Sequence, residues 1–341
     1  MMMNHSLKNQ YKVSPGMIIT GKWHSHSYTI LKELGFGANG VVYLAKHENS
    51  LVALKMSDNG MSITSEVNVL KSFAKVQGHS LGPSLLDVDD WQSQAGRISF
   101  YAMEYIQGPD FLSFIQLKGK SWTSVLFLQL LNDLERLHSN GWIFGDLKPE
   151  NLIVTGPPPR IRCIDVGGTT IQGRGIKEFT EFYDRGYWGL GSRKAETSYD
   201  LFAVAMVMIN TAYPKRFTKT TGGITQLREA IRQKQELKKF ESVLVKALQG
   251  QYTSAKEMRT DLLAAMVERQ ADTLTSQTTG ANRPSYLQTQ QKKSKENPSQ
   301  QSTLSRQSYR RKKKKNGWME FLFIALVLGV LYAWYTFNNL P

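Results

Sequence analysis

Asp146, Lys148 and Asn151 stand in one short loop, residues 142–151, with Pro149 between the lysine and the asparagine. A carboxylate at the first position can take the proton of an acceptor hydroxyl, while a carboxamide five residues on reaches a metal ion. Lys148 adds an ammonium beside the group in transfer. Fourteen residues after Asn151, Asp165 follows the mainly apolar run 161–164 and precedes Val166 and Gly167. A metal-binding acid at the end of a strand belongs there. Together these residues suit the transfer of a charged group to a hydroxyl with the help of a divalent cation.

Such chemistry needs its anionic substrate held. Gly35, Gly37 and Gly40 fall at the G-x-G-x-x-G spacing, which lets backbone N–H groups approach phosphates closely. The spacing alone is weak, because it also serves dinucleotide folds, where it opens a helix, and ligand-free glycine hairpins. Here Val41 and Val42 follow, so the turn links two strands. Lys55 ends the apolar run 51–54, a place with little structural reason for a lysine, and would meet the α- and β-phosphates of a nucleotide. Glu66 stands just ahead of the helical pattern Val67, Leu70, Phe73 and is the expected partner of Lys55.

The positioning elements follow in order. Residues 28–31, 41–44 and 51–55 read as three antiparallel strands and 98–105 as another, broken by Gly108 and Pro109. Residues 111–117 and 122–139 read as helices, the second closed by Asn140 and Gly141. Residues 166–192, rich in glycine, threonine and charge, are expected to form a mobile substrate-facing loop. A buried helix begins at Tyr199 with Asp200 near its start, and helices near 224–232, 236–248 and 254–269 complete the domain. At 341 residues and 41% hydrophobic composition, one large domain with appendages is expected. The single cysteine, Cys163, forms no internal disulfide, and the histidines show no ligand-like spacing, so neither a disulfide framework nor a zinc site is supported.

Five motifs in this order make residues 28–268 resemble the Hanks-type serine/threonine protein kinases. The resemblance implies an α+β, bilobal protein-kinase fold with a small β-rich N-lobe and a helical C-lobe. It implies ATP and Mg2+ as cofactors, with Gly35, Gly37, Gly40, Val42, Ala53, Lys55 and Glu66 at the nucleotide and Glu104 and Ile106 at the hinge that holds adenine. It assigns Asp146 and Lys148 to catalysis, Asn151 and Asp165 to the metal, and Asp200 to bracing the catalytic loop. Three departures stand out. Phe144-Gly145 replaces the usual His-Arg, removing the arginine that pairs with a phosphate on the activation segment. A phosphate on Thr169, Thr170 or Thr180 would need another cation, such as Arg185 or Arg193. Val166 replaces the phenylalanine of Asp-Phe-Gly, and no Ala-Pro-Glu closes the segment.

Residues 1–27 are expected to be an N-terminal extension without a secretory signal. Residues 269–317 are rich in Gln, Ser and Thr and read as a disordered basic linker. Residues 271–315 hold 11 Lys/Arg against 2 Asp/Glu, which accounts for 9 of the net charge of +15. The run 318–337, broken only by Glu320, is long enough for a transmembrane helix, with aromatics toward its ends. The lysines before it place the kinase domain on the cytoplasmic side of the cell membrane, with residues 338–341 as a short external tail. This layout is similar to the YabT-type kinases of spore-forming Bacillus relatives, which points to sporulation. Partners expected are protein substrates, a second copy for autophosphorylation, and either non-specific DNA or anionic lipid at the basic linker. The alternative is a pseudokinase scaffold, against which Lys55, Asp146, Asn151 and Asp165 are all retained.

Overall fold

Period-two alternation decides which way the N-terminal side chains face. In β4 (Ser50–Ser57), Val52, Leu54 and Met56 are buried together with Ile19, Tyr28, Ile30, Val41, Tyr43 and Phe100. Ala53 belongs instead to the second, larger core, and Lys55 shares its side of the strand. The computed structural model describes residues 13–37, 39–77, 81–94 and 96–278, with backbone alone over 76–77 and 268–278. The basic stretch 292–315 and the span expected at 318–337 lie outside these residues. Among the described residues, no helix is long and apolar enough to cross a membrane.

The sheet has six antiparallel strands in the order β1-β2-β3-β4-β6-β5. They are β1 (Ile18–Thr20), β2 (Ser27–Gly37), β3 (Gly40–His47), β4, β5 (Leu85–Ser93) and β6 (Gly96–Glu104). Two of these, β1 and β5, were absent from the sequence expectation, and β1 falls within the stretch read as an N-terminal extension. Three aspartates argue against a strand at Leu85–Ser93 by propensity. Tertiary hydrogen bonds override that. Asp89 is buried and its carboxylate accepts the backbone N–H groups of Trp23 and His24. The sheet thereby curls until the β1–β2 turn reaches β5, where the Lys22 N–H donates to Asp90 O at 2.8 Å.

Helix α1 (Gly60–Gln77) starts earlier than its apolar pattern because Asn59 Oδ1 accepts the N–H groups of Met61 and Ser62. It buries Ile63, Val67, Leu70 and Phe73 in the larger core. The C-terminal lobe contains α2 (Phe111–Lys118), α3 (Ser121–Ser139), α4 (Arg185–Trp188) and α5 (Thr197–Ala212). It ends with α6 (Gly223–Arg232), α7 (Gln235–Lys238), α8 (Glu241–Leu248) and α9 (Ala255–Thr278). Helix α5 is buried without interruption from Tyr199 to Asn210, as expected of a helix apolar on all sides. The helix expected over 236–248 is broken at Lys239–Phe240, a turn that buries Leu237, Phe240, Val243 and Leu244 together. Cys163, at the end of β9 (Arg160–Cys163), is wholly buried, and burial pushes its thiol pKa well up.

Residues 166–192 differ from the loose loop expected of them. Strand β10 (Thr170–Ile171) pairs with β7 (Trp142–Ile143), and backbone bonds join Gly173 to Ala195 and Ile176 to Arg193. Backbone pairing, which composition does not reveal, ties the segment to the lobe.

Candidate active site

A cavity of about 550 Å3 is roofed by Gly35, Gly37, Gly40 and Val42 of the β2–β3 hairpin and by Ala53 and Lys55 of β4. Glu104 and Ile106 also line it, as do Asn151 and Asp165. A side chain at Gly35 or Gly37 would meet nothing within 4 Å, so the protein's own packing does not require glycine there. The bare backbone lets a ligand approach it closely. The Glu104 side chain turns away toward Arg162, at 2.5 and 3.0 Å, and its burial penalty is outweighed by that guanidinium and by Ser84, which hold its pKa down. Only its backbone is left to face a ligand in the cavity.

Lys55 is 8% exposed and its Nζ lies 2.5 Å from Glu66 Oε2 on α1. Tyr101 donates its hydroxyl to the same oxygen at 2.8 Å, and Ser62 donates to the other at 3.3 Å. Burial first, then the Glu66 charge, raises the Tyr101 pKa far above its ordinary value, so it remains a donor. Removing Glu66 would leave a buried ammonium unpaired, at a cost of roughly 3–5 kcal/mol.

Asp146 and Lys148 are not among the residues lining the cavity; Asp146 Oδ2 lies 2.5 Å from Lys148 Nζ, and Asp146 meets the lining through Asn151. Asn151, in a 3-10 turn started by Pro149, donates its Nδ2 to Asp146 O at 3.0 Å. With the amide nitrogen engaged, the Asn151 carbonyl oxygen is the donor left for a cation. Asp165 Oδ1 accepts the Gly167 N–H at 2.9 Å. The loop is held from below by Asp200, fully buried on α5, which accepts the N–H groups of Phe144 (2.8 Å) and Gly145 (2.9 Å). His138 Nε2 lies 2.8 Å from the same carboxylate. One carboxylate thus ties α3, α5 and the catalytic loop together.

The Phe144-Gly145 departure has a packing explanation. Phe144 is buried in the large core and needs no polar partner. Gly145 has φ +84°, and a Cβ there would come 2.7 Å from Gly168 O, so the loop packs where an arginine would not fit. Of the hydroxyls considered for phosphorylation, Thr169 and Thr170 are buried. Arg185 and Arg193 are already committed. Arg185 is bound to Glu196 and Ser198, and Arg193 lies 2.7 Å from Asp184, which also caps α4 and accepts from Tyr199.

Glu178 was missed in sequence and lies in the cavity wall. The Asn39 side-chain amide on the β2–β3 turn donates to its carboxylate. Burial first, then Asp165 and Asp146, raises its pKa above the ordinary carboxylate value. No local pattern marks it, because its partner on the glycine-rich turn is 139 residues away.

A protein kinase domain model matches residues 28–284. The chain is 58% identical over 267 residues to the serine/threonine-protein kinase YabT of Bacillus subtilis (strain 168), covering 77% of this chain and 79% of that protein. It is 29% identical over 147 residues to the sporulation protein kinase mde3 of Schizosaccharomyces pombe, covering 39% and 26%. It is 30% identical over 152 residues to an Aurora kinase of Dictyostelium discoideum, covering 43% and 39%.

Proposed function

This chain belongs to the protein kinase family as a YabT-like serine/threonine kinase of the Hanks type, and from that premise we propose a membrane-anchored enzyme that moves the γ-phosphoryl group of ATP to protein Ser/Thr with Mg2+. The observation that carries the mechanism is the convergence of Lys55, Asn151 and Asp165 on one cavity, with Asp146 tied to it through Asn151. Lys55, held by Glu66, anchors the nucleotide phosphates, and the glycine turn covers them with N–H groups. Asp146 orients the acceptor hydroxyl and takes its proton, while Lys148 offers positive charge beside the transferred group. Asn151 and Asp165 present oxygen donors that suit a hard divalent cation. Such a cation, when bound, neutralises charge on the phosphates. The anchor in this reading is the apolar run 318–337, with the domain cytoplasmic and the basic linker before it contacting DNA. Sporulation is a setting that the name of one relative, the mde3 kinase, suggests.

The test is labelling by radioactive ATP of the purified full chain and of a generic protein acceptor. Wild type labels serine and threonine. Asp146→Asn lowers the rate by at least about a hundredfold, the lower range for loss of a general base, with nucleotide affinity nearly unchanged. Wild type that binds Mg-ATP yet labels nothing would leave the pseudokinase scaffold as the reading.

A further inference from the structure

The turn between β1 and β2 carries His24 and His26 at alternate positions, with Ser25 between them at φ +60°. Both imidazoles meet one carboxylate on β5. His24 Nδ1 is 2.7 Å from Asp87 Oδ1, and His26 Nδ1 is 3.0 Å from Asp87 Oδ2. One ligand atom from each of the three residues lies within 4.8 Å of the other two. Tetrahedral ligands about 2.0–2.1 Å from zinc are roughly 3.4 Å apart, so small shifts close this set around an ion.

The surroundings position these groups before any ion arrives. Asp87 is buried, and its oxygens accept from the Val88 N–H and the Tyr28 hydroxyl, both at 2.8 Å. Outer partners of this kind orient a ligating carboxylate. The turn is fixed by buried Asp89, which accepts the N–H groups of Trp23 (2.9 Å), His24 (2.8 Å) and Asp90 (2.7 Å). A Cβ on Gly21 would come 2.2 Å from Asp89 Oδ2, so only glycine lets the turn approach this closely. The two histidine side chains are 54% and 51% exposed, which leaves them open to an ion from solvent.

The geometry points to a site for a divalent transition-metal ion of the zinc class, held by His24, His26 and Asp87 with water completing the shell. Two imidazoles select against Mg2+ and Ca2+, which take oxygen ligands, so the site is chemically distinct from Asn151 and Asp165. On binding, each imidazole turns its Nδ1 lone pair to the ion, its Nδ1 proton passing to solvent while Nε2 takes one up so that the neutral ring stays neutral, and Asp87 exchanges two histidine hydrogen bonds for a metal bond. His47 stands behind His26 with its Nδ1 3.0 Å from Ser27 O and is not a ligand. The ligands come from the β1–β2 turn and from β5, at opposite ends of the sheet order, so the ion clamps the seam where these ends meet. The proposed site departs from the sequence reading, in which no zinc site is supported. Histidine spacing alone cannot show a third ligand 61 residues from His26.

The experiment is calorimetric titration of the full-length protein, without a histidine tag and stripped by chelator, with ZnCl2 in excess Mg2+. One equivalent binds saturably, and the melting temperature rises with zinc. His24→Ala and His26→Ala each weaken binding by at least about tenfold, the lower end of what even outer-shell changes cost. Each removes the zinc-dependent rise in melting temperature while leaving the zinc-free melt close to wild type. Absence of saturable binding, an unchanged affinity in the double variant, or displacement by Mg2+ would overturn the assignment.

Discussion

A carboxyl group beside Asp165 in the wall of the cavity, with Asp146 near enough to act on it, works against a polyphosphate. Glu178 is that group, and burial first, then the Asp165 and Asp146 charges, raises its pKa. At roughly 8 Å and an effective dielectric of about 20, two unit charges repel by about 2 kcal/mol before salt screening. Glu178→Gln removes the charge while keeping an acceptor for Asn39. The expected outcome is a fall in the KM for ATP of roughly three- to tenfold, with kcat little changed, read by steady-state kinetics at saturating acceptor. A rise in KM would instead place Glu178 among the groups that hold the cation.

The activation segment is fastened by its own polar contacts, and that defines what phosphorylation can add. Asp184 caps α4 and holds Arg193, while Arg185 holds Glu196 and Ser198. These contacts do the work that an arginine at position 145 and a phosphate would otherwise share. Thr180→Ala is therefore expected to keep most activity, while Arg193→Ala loses roughly tenfold or more through misplacement of the segment, both read by acceptor labelling. Strong loss in Thr180→Ala, recovered by Thr180→Glu, would show that a phosphate switch operates after all. Elements differ in how far the sequence reveals them for a related reason. Lys55 is conspicuous because a charge interrupts an apolar strand, and Asp146 and Asn151 because they stand only five positions apart. The strand at Leu85–Ser93 is hidden because its aspartates find partners more than sixty residues earlier. Glu178 is hidden likewise, since a glycine- and threonine-rich segment gives no sign of the cavity it reaches.

At the scale of the whole molecule, positive charge is concentrated in residues 271–315 rather than spread over the kinase domain. A cationic arm binds duplex DNA by releasing counterions, so affinity follows salt steeply and base sequence hardly at all. With about 6 phosphate contacts, binding of the full chain to DNA should weaken on the order of a thousandfold between 50 and 200 mM salt. Replacing the lysines and arginines of residues 292–315 with glutamine should remove DNA binding and any DNA-stimulated autophosphorylation while sparing basal labelling. Filter binding and labelling of the detergent-solubilised protein read both. Stimulation by anionic vesicles alone would assign the arm to lipid. Beneath all of this lies Cys163, the one thiol of the chain, sealed in the core two residues before Asp165. A sealed thiol with a raised pKa reacts with an alkylating reagent only while the helical lobe is open. The chain therefore carries an internal clock, since the rate of alkylation counts how often the ground beneath the catalytic site comes apart.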